Sequence, residues 1–159
     1  MMSRVRSAIR TRRHDDRGIV AGSDMLIFGT VAFVLGSLLI MNVWAVIDSS
    51  LAVSAAAREG ARAFAETGDD VGTARSAASA SAQQVMNDYG KTNSPVVVTA
   101  SSPDYGRCAF VTVTVEYDVA LVSLPLFGDL GDRTASSSHS TRVDAWRSGD
   151  FGEFDGVCP

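Results

Sequence analysis

The sequence predicts an α+β chain. A long N-terminal transmembrane helix continues into an extracytoplasmic helix, a second helix follows, and a three-stranded antiparallel sheet ends the fold. Three observations carry this reading. Met25 to Ile47 is a run of 23 residues without a charge. From Asp48 to Glu66 the chain is rich in alanine and arginine and free of proline, so nothing stops the helix. After Pro95 the apolar period changes from helical to two. The 159 residues suffice for one domain and are too few for two ordinary ones, and helices followed by strands point to an α+β layer.

The first element is set by the membrane. A helix needs about 20 apolar residues to cross a hydrocarbon core of about 30 Å, and MLIFGTVAFVLGSLLIMNVWAVI is long enough. Its least suited residue is Asn42, polar but uncharged, and Trp44 stands near the outer end, where aromatic residues favour the interface. Residues 1–17 hold six arginines against Asp15 and Asp16, whereas residues 48–159 hold eight basic and fifteen acidic residues. The overall charge of −4 thus hides a basic head and an acidic body. The positive-inside bias puts the N-terminus in the cytoplasm and the body outside, a single-pass plasma-membrane topology. A cleavable signal peptide has an apolar core of about 7–15 residues, shorter than this one. The twin-arginine alternative fails because His14–Asp15–Asp16, not an apolar residue, follows Arg12–Arg13. A plain signal anchor stays open.

Gly22, Gly29 and Gly36 recur every seven residues and line one helix face, which would let another helix approach closely. Asp24 falls opposite them, in line with Asn42, at the inner edge of the span. Asp24 to Glu66 as one helix extends about 64 Å at 1.5 Å per residue, so half of it projects beyond the bilayer. That half carries a weak apolar stripe through Leu51, Val53, Ala57 and Phe64, and Arg58 and Arg62 share a side. Thr67–Asp70 breaks the helix: Gly68 suits a C-cap, and Asp69 or Asp70 an N-cap. The second helix runs from about Val71 to Tyr89 with Val71, Ala74, Ala78, Ala82, Val85 and Tyr89 on one side, and Gly90 ends it. Val96–Ala100 and Ala109–Val119 form a hairpin across a turn cluster with Pro103, Asp104 and Gly106. Ala120–Gly128 is an apolar connector. Arg133–Arg147 is the third strand, burying Val143, Ala145 and His139. The chain divides into a basic cytoplasmic leader (1–18), a transmembrane helix (24–47), extracytoplasmic helices (48–90), a β region (95–147) and a loose tail (148–159).

Little in this composition carries reaction chemistry. The acidic body argues against nucleic acid as a partner. Phosphate loops of the GxxxxGK[ST] type are absent, and with only two histidines and two cysteines a closed Cys/His metal site is not expected. His139, between Ser138 and Ser140, lacks a partner arranged for nucleophilic catalysis. The expectation is therefore a non-enzyme with no cofactor, no metal and no small-molecule substrate. Cys108 and Cys158 lie in the external part, where an oxidising compartment favours a disulfide. An intrachain bond ranks ahead of two free thiols or a bond to another chain.

The chain resembles the TadE-like family of minor pseudopilins. Arg17–Gly18 followed by Ile19, Val20, an acidic residue and a long apolar helix resembles a class III, prepilin-type leader. Residues 55–63, AAAREGARA, resemble the AREGARA segment that follows the membrane helix in TadE-like proteins, and the strand Val111–Tyr117, the connector Leu121–Gly128 and the strand Thr134–Val143 look like that family's C-terminal part. The resemblance covers about residues 17–147 and implies a pilin-like fold in a tight-adherence (Tad, Flp-type) pilus system. It further implies cleavage between Gly18 and Ile19 by a membrane prepilin peptidase, with other pilin or pseudopilin subunits and Tad assembly proteins as partners and possible incorporation into a pilus. The family places a glutamate five residues after the glycine. Here Ser23 stands there, and Asp24, one residue later, is the candidate subunit-contact carboxylate.

Overall fold

The computed structural model describes residues 17–67, 70–94, 96–122, 128, 131, 133–146 and 158, with the backbone alone for residues 17–23. Two helices, α1 (Arg17–Glu66) and α2 (Val71–Asp88), precede three strands, β1 (Val96–Ser101), β2 (Phe110–Val119) and β3 (Arg133–Arg142). The strands form one antiparallel sheet in the order β1-β2-β3. The expected α+β layout is thus present. The chain divides into two units, residues 1–37 and residues 38–159. In the first, the described part is helix; the second holds the remainder of α1, α2 and the sheet.

In residues 24–37 the apolar side chains other than the half-buried Leu35 are exposed, Met25, Leu26, Ile27, Phe28 and Phe33 among them. The two hydroxyls there bond back within the helix: Thr30 Oγ1 donates to Leu26 O and Ser37 Oγ to Phe33 O, both at 2.8 Å. An i−4 carbonyl satisfies such a hydroxyl without water.

The core of the second unit is made by small residues. α1 buries Ala52, Val53, Ala56, Ala57, Ala61, Phe64 and Ala65, and α2 buries Ala74, Ala78, Ala82 and Met86. The inner sheet face adds Val111, Val113, Val115, Tyr117, Val119 and Ala135, and Val143 closes the cluster just past β3. Leu51, placed on the inner stripe by sequence, is 61% exposed. The buried face instead follows alanines at i, i+4 and i+5, which bring helix backbones close. Tyr89, the last residue expected on the inner side of α2, is exposed and Met86 fills that place, because a stripe of every fourth residue drifts round the helix.

The ends of α2 are fixed by hydrogen bonds. Asp70 Oδ1 accepts from Gly72 N at 2.6 Å and Thr73 N at 3.0 Å, so Asp70 is the N-cap. Gly68 and Asp69, the other cap candidates, lie outside the described residues. At the far end Gly90 takes φ +70°; its N–H donates to Asn87 O, and Lys91 N–H to Met86 O. That pair of bonds is a Schellman cap, and its left-handed position suits glycine.

The strand register puts Val98, Val115 and Ser137 in one row and Ala100, Val113 and His139 in the next, all facing inward. The outer face is hydroxyl-rich: Thr112 and Ser140 lie 2.8 Å apart, and Thr114 Oγ1 donates to Ser138 Oγ at 3.0 Å. β3 stops at Arg142, five residues before the expected end. Val143 N–H still bonds Ala109 O, but Asp144 Oδ1 then captures Trp146 N–H at 2.9 Å and turns the chain. On the inner side Val143 is buried, whereas His139 and Ala145 are half-buried.

Candidate functional site

Residues 24–47 of α1 form the first candidate surface. Asp24–Glu66 is the one helix among the described residues that is long and apolar enough to cross a membrane. Asp24 is exposed. A Cβ built on Gly29 or Gly36 meets no atom within 4 Å, so this face is open in the single chain. Gly18, Ile19 and Gly22 lie in the helical backbone of α1, and the leader before residue 17 lies outside the described residues.

Asn42 is the polar residue that least suits a span, and it is 7% exposed. Its Nδ2 donates to Val122 O at 3.0 Å while its Oδ1 accepts from Val122 N at 2.7 Å. The amide thus imitates a strand neighbour for one residue of the connector after β2. Both of its polar ends are satisfied inside the protein, which is the condition for placing it beside lipid. Six residues on, Asp48 Oδ2 accepts from Lys91 Nζ at 2.5 Å, tying the end of α2 to α1. Around Asn42, residues Val43, Val46, Ile47 and Leu121 line an apolar groove with Arg133 at its rim. Trp44 is exposed at the same level of the helix.

The second feature is the crossing point at Gly60, the glycine of the AREGARA run. A Cβ there would lie 3.2 Å from Ala78 O, 3.2 Å from Val113 Cγ1 and 3.3 Å from Ala82 Cβ. Here α1, α2 and β2 meet, and the missing side chain is what lets them meet. Ala57, Ala61 and Phe64 bury the same face, while Arg58 and Arg62 point away from it. Arg62 Nε donates to Glu66 Oε1 at 2.7 Å. That bond, with the charges of Glu66 and Glu59, raises the Arg62 pKa further above its ordinary value. Phe64 packs edge-on against Tyr105, centroids 5.3 Å apart at 88°, and Tyr105 Oη donates to Thr67 O. The turn between β1 and β2 is thereby held to the end of α1.

Cys108 and Cys158 are joined by a disulfide with Cα atoms 5.5 Å apart, which brings the C-terminus back to the start of β2. Cys108 has φ +64°, the one non-glycine residue with a positive φ among the described residues. Residues 147–157 lie outside the described residues.

No group of three or more His, Cys, Asp and Glu side chains among the described residues is placed to hold a metal ion. Sequence reasoning missed Gly60 as a contact, the partner of Asn42, the Lys91–Asp48 pair and Tyr105. A glycine inside an otherwise alanine-rich helix was the signal for the first, because it costs helix stability unless something needs the space. No protein-family model, curated protein or solved structure matches this chain.

Proposed function

We propose that the chain is a TadE-like minor pseudopilin, a membrane-anchored structural component of a Tad (Flp-type) pilus. The observation that carries this reading is the run 25–47 on α1, most of whose large apolar side chains stay exposed while the following half of the same helix is sealed into an α+β body. A helix with one unpartnered apolar half needs lipid or other helices around it. The open face at Gly29 and Gly36 supports exchange of the first for the second. In this reading the arginine-rich head stays cytoplasmic, the body is extracytoplasmic, and a prepilin peptidase cuts between Gly18 and Ile19. The protein acts by packing against other pilin or pseudopilin helices and Tad assembly proteins and performs no catalysis.

A second reading rests on Asp24. Its carboxylate is one residue later and one methylene shorter than the family's glutamate. A permanently anchored scaffold or binding protein of a secretion system would need neither cleavage nor that contact.

Mass spectrometry of the membrane-extracted protein separates the two. The pseudopilin reading expects Ile19 as the N-terminus when the peptidase is present and an intact leader when it is absent. An intact leader in both strains overturns processing and leaves the anchored scaffold.

A further inference from the structure

The two arginines of the AREGARA run are not used by the core, and they face a cleft. Arg58, Arg62 and Glu66 of α1 form one wall, and His139, Thr141 and Asp144, on and just beyond β3, form the other. The cleft has a volume of about 300 Å³. This is room for one or two side chains.

Its charges are unevenly matched. Arg62 is held by Glu66 at 2.7 Å. Arg142, also on the lining, donates Nε to Cys108 O at 3.0 Å and lies over the Phe110 ring, 5.2 Å from its centroid. One oxygen of Asp144 accepts Trp146 N–H. Arg58 makes no ion pair among the described residues. An arginine head offers five donors in a fork that fits a carboxylate with two parallel bonds. Across the cleft the His139 ring and the Thr141 hydroxyl add further donors from a different element.

We infer that this cleft is a docking site for an acidic side chain of a partner polypeptide, with Arg58 as the principal contact and His139 and Thr141 as supporting donors. The Arg58 guanidinium, in no ion pair among the described residues, has the donor geometry for one carboxylate. A phosphate would bring more negative charge against Glu66 and Asp144 on the same rim. The site lies wholly in the folded body, so it does not depend on cleavage, on the membrane span or on pilus membership.

The test uses the full chain in neutral detergent micelles at low salt, with hexaglutamate as the probe. The readout is the NMR signal of the His139 ring, readily assigned because the chain has only two histidines. Hexaglutamate should shift this signal saturably and hexalysine should not. R58Q should weaken the binding about tenfold, the scale of one charged hydrogen bond, whereas R75Q, on the exposed side of α2, should leave it unchanged. R58K should recover part of the loss. Equal affinities for R58Q and the native chain would overturn the assignment, as would inorganic phosphate binding as tightly as hexaglutamate. A tenfold or greater gain on D150N/E153Q/D155N would mean that the chain's own carboxylates compete for the cleft, and would equally overturn a partner's role.

Discussion

Asn42 and Val122 exchange two hydrogen bonds, side-chain amide to backbone amide, across 80 residues of sequence. The pair fixes where the apolar helix stops being bare. From residue 42 onward one side of α1 is covered by the folded body, while Val43, Trp44 and Ile47 remain exposed on the other. The outer end of the predicted span and the base of the body therefore share about two turns of helix. An amide that would otherwise be a defect in the span becomes the fastener of the connector.

Replacing Asn42 by alanine should then cost about 2 kcal/mol, because two hydrogen bonds go and a connector amide and carbonyl lose their partners. N42D separates the halves of the pair: its carboxylate still accepts from Val122 N–H and has no donor for Val122 O. Thermal unfolding of the full chain in micelles should place both variants below the native protein, N42D lowest at neutral pH because its charge is buried against the Val122 carbonyl oxygen. Equal melting of all three would mean that the connector is held by something else.

Gly60 makes a sharper claim about packing. An alanine there gains helix propensity of about 1 kcal/mol but puts its methyl group against the Ala78 carbonyl oxygen, which is backbone and yields little. Overpacking costs about 1–3 kcal/mol, so G60A should be destabilised by roughly 1 kcal/mol and G60V by about 3 kcal/mol or more. G36A, with nothing in contact, should melt no lower than the native chain. If G60A is stabilised, α1 and α2 do not meet as closely as the geometry requires.

The elements themselves were legible because each rests on a local signal. The uncharged run, an N-cap at Asp69 or Asp70, the Gly90 stop and the period-two pattern of Val111 to Tyr117 need only near neighbours to be read. What sequence alone did not give depends on contacts distant along the chain. Leu51 is more hydrophobic than Ala52 or Ala56, and hydrophobicity alone puts it inside. It is outside because close helix approach selects small residues. The end of β3 was misjudged because the Asp144 side chain, not a change in apolar period, turns the chain. Of the candidate site, the open glycine face and the two cysteines were visible as patterns, whereas the cleft beside Arg58 needed the sheet to place His139 opposite α1.

The disulfide invites a prediction about backbone strain. Reduction, or C108S/C158S, releases a closed loop of 50 residues and should cost about 4 kcal/mol in the chain-entropy account. Cys108 sits at φ +64°, where a side chain is unfavourable and glycine is not. C108G/C158S should therefore be more stable than C108S/C158S by about 1 kcal/mol in matched denaturant titrations. The reverse order would mean that this turn changes conformation once the bond is gone.

Asp70 sets an acid limit on the start of α2. Its carboxyl is held below the ordinary carboxylate range, chiefly by the Thr73 hydroxyl and then by the backbone N–H groups of Thr73 and Gly72. A depressed folded-state value means that the contribution is present above the unfolded value and lost as pH falls through the folded one. Helicity should thus decline as pH drops below about 4. D70N, which keeps an acceptor but no charge, should flatten that share of the decline, and D70A should lower the melting temperature by a few degrees at neutral pH. Circular dichroism at fixed ionic strength reads all three. An unchanged acid profile in D70N would take the cap out of the account.

The last prediction bears on the pilus reading itself. A Cβ at Gly29 or Gly36 meets no atom within 4 Å, so G29L/G36L should insert into the membrane and melt like the native protein. If small residues on this face are there to admit a neighbouring helix, the same double variant should disappear from sheared filaments and lose its crosslinks to other pilin or pseudopilin subunits. L39A, on an exposed part of α1, is a control for a change in bulk. Undiminished incorporation of G29L/G36L would show that assembly does not use this face. Loss of melting stability in the variant would show instead that the face is already occupied within the protein.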